Sequence, residues 1–166
     1  MTDKKQRVVF GDDLNTTQLN ALMAAINPDR VSDREGAGGR TLAYVEAWDI
    51  KMTLSRIFGV GNWSWDIVDQ KPLNQAANKW FVKGILHIHQ TGARYSGAAV
   101  GSASGADAED NALKGADSDA LKRAASNLGP QFGLGLYNKG SRTEALGFNA
   151  AAYEAGLTDV EGNEVK

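Results

Sequence analysis

Apolar residues recur along this chain with two different periods, and the change between them divides it into elements. Leu19, Leu22, Met23 and Ile26 keep helical spacing, which predicts a first helix over residues 16–26, stopped by Asn27-Pro28. The glycine cluster at 36–39 marks a turn and residues 41–45 a short strand. Residues 46–58 read as a second helix that buries Trp48, Met52, Leu54 and Ile57 and ends at Gly59 and Gly61. From Trp63 the period falls to two, with Trp63, Trp65 and Ile67 alternating with Ser64 and Asp66, as on a half-buried strand. After a loop at 71–75, residues 79–90 place Trp80, Val82, Leu86 and Ile88 on one face. Lys79, Phe81, Lys83, Ile85, His87 and His89 fall on the other. Residues 91–93 turn into a strand of small residues over 94–102.

The longest periodic stretch follows. Leu113, Ala116, Ala120, Leu121, Ala124 and Leu128 form one apolar stripe on a helix spanning residues 106–129. Asp107, Glu109 and Asp110 suit its positive N-terminal end, and Lys122 and Arg123 its negative C-terminal end. At about 100° per residue, Lys122 falls opposite the stripe, with Lys114 and Arg123 near its edges. Asp117 lies inside the stripe, where a carboxylate needs a partner, an exposed edge or a subunit contact. Three antiparallel strands followed by a long helix define an α+β fold, with a three- to four-stranded β-β-β-α core. A short arm at residues 1–14, a domain at 15–140 and an acidic tail at 141–166, with a helix near 148–155, complete the expected organisation.

Charge changes the picture less than the helix suggests. The 166 residues carry 18 basic and 20 acidic side chains, a net charge of −2, where a phosphate-binding domain is usually basic. Residues 141–166 contribute two bases and five acids, leaving a net +1 for the rest, so any polyanion site requires local clustering. The absence of cysteine excludes disulfides and thiolate metal sites, and no apolar run reaches membrane length. No secretory signal is expected, which points to the cytoplasm. None of the glycine clusters has the GxxxxGK[ST] pattern, so an ATP-driven reaction is not expected. His87 and His89 share a strand face but have no third ligand of matching placement, and the acids at 107–110 are explained by the helix start.

Two blocks carry a resemblance. ADAEDNALKGADSDALKRAASNLG, residues 106–129, resembles the basic helix of the Rad fifty-two family of single-strand annealing proteins. REGAGGRTLAYVEAWDIKMTLSRIFGVGNWSW, residues 34–65, resembles the family's opening: an arginine, a Gly-rich turn, a strand ending Tyr-Val-Glu, a helix and an FG-x-x-G-W element. The blocks stand in the family's order, and the resemblance covers about residues 19–138. It implies ATP-independent binding of single-stranded DNA and annealing of complementary strands in recombination and repair, without enzymatic activity or cofactor. It also implies a homo-oligomer built as a ring or open helix, with a recombinase or single-strand-binding protein as a further partner. The compact length suggests a bacterial or phage version, acting in a bacterial or phage-infected cell.

Carried over by position, the family's groove residues fall on Arg34, Lys114, Lys122 and Arg123, and its strand tyrosine on Tyr44. Ser126 stands where relatives often carry another arginine. The turn at 91–93 lacks the basic residue that some relatives use for an outer DNA site, for which Lys83 and Arg94 are the substitutes here. The competing readings are an assembly module of the same fold without DNA binding and, with little support, a magnesium-dependent nuclease.

Overall fold

The computed structural model describes residues 14–136 and residue 156. The arm, the acidic tail with its helix near 148–155, and the domain limits at 14 and 140 fall at or outside the edges of the described residues.

The chain runs α1 (Thr16–Met23), β1 (Val31–Glu35), β2 (Thr41–Val45), α2 (Ala47–Phe58), β3 (Trp63–Pro72), β4 (Lys79–Ile88), β5 (Ala93–Ser102) and α3 (Ala108–Ala125), then two short 3₁₀ turns ending at Phe132. β3, β4 and β5 form an antiparallel meander, and β1 pairs with β2 in a separate two-stranded ribbon. The α+β expectation therefore holds with a three-stranded sheet plus a hairpin. β1 has no counterpart in the sequence reading, because Asp33, Arg34 and Glu35 leave it without an apolar alternation. The hairpin closes through Gly38 and Gly39, both at positive φ, where a side chain would be strained.

Side-chain alternation on β4 matches the expectation. Val82, Leu86 and Ile88 are buried beneath α3, while Lys83 lies exposed on the uncovered face. β3 runs five residues further than its apolar alternation. Its register slips between Ile67 and Asp69, so Val68 forms a bulge at the sheet edge. The expected loop at 71–75 starts later for the same reason: Lys71 and Pro72 still pair with Phe81 and Trp80.

The contact between α3 and β5 sets the architecture. Ala112, Ala116, Ala120 and Ala124 recur every fourth residue, share one helix face, and are fully buried. They meet Gly97 and Gly101 of β5. A Cβ on Gly97 would stand 2.0 Å from the Ala120 carbonyl oxygen, and one on Gly101 2.1 Å from that of Ala112. Helix backbone thus rests almost directly on strand backbone. Beside it, the Trp65 ring covers Gly84, where a Cβ would come within 2.4 Å of the indole. The Trp65 Nε1–H donates to Asp117 Oδ1 at 2.7 Å. That bond gives the carboxylate in the apolar stripe a partner within the chain, an indole N–H.

α2 corrects one expectation. Its buried face is Ile50, Thr53, Leu54 and Phe58, together with Asp49. Trp48 and Met52, expected in the core, are 67% and 54% exposed. At about 100° per residue both sit some 200° from Ile50, on the opposite side of the helix. Trp80 is half-buried and packs with the Val82 cluster; Trp63 packs on the main core and donates to Ser55 Oγ at 3.0 Å.

A clasp joins α1, α2 and the segment after α3. The Arg30 guanidinium donates to both Asp49 oxygens (2.9 and 3.1 Å), to Thr53 Oγ1 (2.7 Å), and to the Gln131 side chain (2.6 Å) and carbonyl (3.0 Å). Gln131 in turn donates to the carbonyls of Ala24 and Ala25. The first helix ends at Met23 rather than at residue 26, with Ala24 already extended. Its freed carbonyls at 24 and 25 are satisfied by Gln131, which compensates the early stop. Among the described residues no helix is long and apolar enough to cross a membrane.

Gly97→Ala should destabilise the fold by about 3 kcal/mol or more, since the added methyl meets rigid backbone on α3. Gly115→Ala, on the same helix with nothing within 4 Å of the new methyl, should instead stabilise by about 0.4–1 kcal/mol. Urea unfolding of both variants checks the pair, and similar effects from the two would contradict the close α3–β5 seat. Arg30→Met should cost about 3–5 kcal/mol by stranding the buried Asp49 carboxylate. Adding Asp49→Leu should recover part of that loss, and a loss below about 1 kcal/mol for Arg30→Met alone would show the clasp to be incidental.

Candidate nucleic-acid interface

Three elements place five charged or aromatic side chains around the rim of one depression of about 130 Å³. Its floor is apolar, formed by Val45, Ile50, Phe132 and Leu136, with Gly133 between the last two. The clasp through Gln131 fixes that floor, because Phe132 and Gly133 follow it directly. The rim carries Arg34 from β1, Tyr44 from β2, and Asp119, Lys122, Arg123 and Ser126 from α3 and the turn after it.

Tyr44 is the hub of the rim. The Arg34 guanidinium carbon lies 5.5 Å from its ring centroid and the Lys122 ammonium 5.2 Å, both within cation–π range. Its hydroxyl donates to Glu46 Oε1 at 2.7 Å. That hydrogen bond, aided by partial burial and by the Glu46 charge, raises the phenol pKa above its usual value against the opposing pull of Arg34. The ring therefore stays neutral and π-rich between two cations that would otherwise repel each other. β1–β2 pairing places Arg34 opposite Leu42 and Ser32 opposite Tyr44, so Arg34 and Tyr44 sit diagonally on the ribbon.

Lys122 differs from its helical-wheel placement. It lies opposite the stripe that meets the sheet, yet only 21% of its side chain is exposed, because the Tyr44 ribbon packs over that side of α3. Its ammonium also pairs with Asp119 Oδ1 at 2.6 Å, one turn earlier on the helix. Arg123 reaches across the sheet edge and donates to the Ala98 carbonyl at 3.0 Å, occupying an acceptor on the outer edge of β5. Ser126 turns back to donate to the Arg123 carbonyl, completing the end of α3.

The other expected site residues stand apart. Lys114 lies two turns before Lys122, about 12 Å along the axis and rotated by some 80°. It is 70% exposed and ion-paired with Asp110, whose hydrogen bond raises the lysine pKa. Lys83 and Arg94 are exposed on the sheet face opposite α3. On that face His87 and His89 stack with centroids 6.3 Å apart, and His87 Nε2 approaches Asp66 at 3.2 Å. Among the described residues no group of three or more His, Cys, Asp and Glu could hold a metal ion. Arg34, Tyr44, Lys122 and Arg123 thus share one site, which Lys114, Lys83 and Arg94 do not join. Sequence reasoning missed Asp119, Glu46 and the Arg30 clasp. An acid three residues before Lys122 was the available signal for the first of these.

The rim sums to three cations and one carboxylate over an apolar floor, a combination suited to anionic, extended ligands with apolar parts. Comparison with known proteins agrees in kind. The chain is 30% identical over 149 residues to DNA repair and recombination protein rti1 of Schizosaccharomyces pombe, covering 84% of this chain and 40% of that protein. It is 28% identical over 131 residues to rad22 of the same yeast, covering 72% of this chain and 28% of that protein. To RAD52 of Saccharomyces cerevisiae, also named a DNA repair and recombination protein, it is 29% identical over 148 residues, 84% of this chain and 31% of the relative. The chain therefore spans well under half the length of these relatives. All of them are yeast proteins, so they lend no support to a bacterial or phage source. The Rad52/22 family of double-strand break repair proteins matches residues 15–153, and with that span matched the chain belongs to this family.

Proposed function

We propose that this chain binds single-stranded DNA at the Tyr44 depression and anneals complementary strands without nucleotide hydrolysis, as a non-enzymatic component of recombination and repair. The observation that carries the reading is the convergence of Arg34, Lys122 and Arg123, from two separate elements, on one depression around Tyr44. Cations fixed around one depression can hold phosphates regardless of sequence, and pairing between strands supplies the energy of annealing. Lys114 extends the track along α3 at a distance of about two nucleotides, reached obliquely. Lys83 and Arg94 belong to a separate surface on the far side of the sheet and are candidates for a second contact with DNA.

Self-association supplies what a net charge of −2 lacks, since a ring or open helix repeats one local cluster many times. Two features support it. Among the described residues no strand pairs with the outer edge of β3, and Ile67, Val68 and Leu73 are exposed along that edge and the loop after it. Trp48 and Met52 expose a second apolar face on α2.

One observation favours the alternative of an assembly module without DNA binding: Lys114, Lys122 and Arg123 each already have an internal partner. The double variant Lys122→Ala with Arg123→Ala separates the two readings. Stability should fall by roughly 0.3–1 kcal/mol per charge from the helix-dipole effect, and further from the lost Lys122 contacts with Asp119 and Tyr44 and the Arg123 bond to Ala98. Binding of an oligo-dT should fall much further, and the salt dependence should flatten by about 0.7 per lost phosphate contact. The control Lys51→Ala, exposed on α2, should bind like the parent at the parental particle size. Parental binding by the helix double variant would favour the assembly module. Light scattering should give particles many times 17.7 kDa, and a monomer throughout the micromolar range, with and without DNA, would contradict the oligomer.

A further inference from the structure

We infer that Asp119 is a built-in competitor for the DNA phosphate, an internal anion that holds Lys122 in the free protein and must be displaced when the strand binds. The inference rests on the DNA reading of the depression and adds to it a residue that sets the affinity of the site. Among the described residues, Asp119 is the only acid lining the depression, facing three cations. Its carboxylate takes the Lys122 ammonium at 2.6 Å, and both side chains are only partly exposed. The competition is local and direct, because an ammonium held at that distance has given its best-aligned donor to the carboxylate.

The arrangement also lets the exchange occur without moving the lysine. The Tyr44 ring, 5.2 Å from the ammonium, holds the head group in place from another side. A phosphate arriving at the rim can therefore take the position of the carboxylate while Lys122 stays seated. The cost of displacement is that of a partly exposed ion pair, small enough for a polyanion with several phosphates to overcome. A single small anion, making one contact, gains little after displacing it. Asp119 in this way favours a strand over free phosphate at the same cations.

The test is a double-mutant cycle read by fluorescence anisotropy of a labelled oligo-dT at low salt. Asn is isosteric with Asp and similar to it in helix propensity, so Asp119→Asn preserves the helix. It should tighten binding about two- to fivefold, the range expected from the release of one such ion pair. In a Lys122→Ala background the same substitution should change affinity by less than half that factor, because the competition has lost its object. Asp29→Asn, an equal charge change on the exposed turn before β1, should leave binding unaltered. An equal gain with and without Lys122 would reveal a general field effect and overturn the inference. Unchanged or weaker binding by Asp119→Asn, while Lys122→Ala still weakens the parent, would also overturn it; weaker binding would show that the carboxylate serves to position the lysine. Parental binding by Lys122→Ala would remove the underlying DNA reading, an outcome distinct from the others.

Discussion

The rest of the structure depends on the seat of α3 against β5. Four alanines at every fourth residue meet two glycines four residues apart on β5, and helix backbone comes to rest on strand backbone with no side chain between. Interiors packed at this density leave no slack, so the helix can neither slide nor roll without leaving its seat. Every functional side chain on α3 inherits that precision. Lys122 and Arg123 point where they do because Ala120 and Ala124, beside them in sequence, are fixed against Gly97.

With α3 fixed on one side by the sheet, its other side is open to the β1–β2 ribbon. The ribbon brings Arg34 and Tyr44 to Lys122, and the Arg30 clasp brings the segment from Gln131 to Leu136 beneath them. The site is an assembly of parts distant in sequence, joined by a neutral aromatic ring between cations and by a guanidinium whose hydrogen bonds reach α2 and the segment after α3. An overall negative charge is compatible with it, since the acids near the rim are committed: Glu46 to the Tyr44 hydroxyl and Asp119 to Lys122.

Much of this was legible in the chain. The period-two alternation of Val82, Leu86 and Ile88 and the alanine and leucine stripe of the long helix each come from one dominant burial face, and such patterns survive folding. The pattern failed where burial was not apolar. Asp49 and Thr53 occupy the buried face of α2 as partners of Arg30, so the apolar residues Trp48 and Met52 misled as to which side faces inward. β1 was invisible because its charged residues are held by backbone pairing to β2 rather than by alternation. The site residues Arg34, Tyr44, Lys122 and Arg123 came from family resemblance alone. Their convergence could not be read from spacing, since 88 residues separate Arg34 from Lys122. The committed acids and the clasp are long-range hydrogen bonds with no local pattern, and only the fold displays them.

The strand binds first at the Tyr44 depression, and any contact on the uncovered face of the sheet is secondary to it. Lysine acetylation read by mass spectrometry over a titration with oligo-dT addresses this order directly, because both surfaces carry lysines in one molecule. DNA should protect Lys122 and partly protect Lys114, while Lys51 on α2 keeps its reactivity and Lys79 and Lys83 on the opposite sheet face are protected only at higher DNA concentration, if at all. Protection of Lys79 and Lys83 with Lys122 unchanged would contradict it.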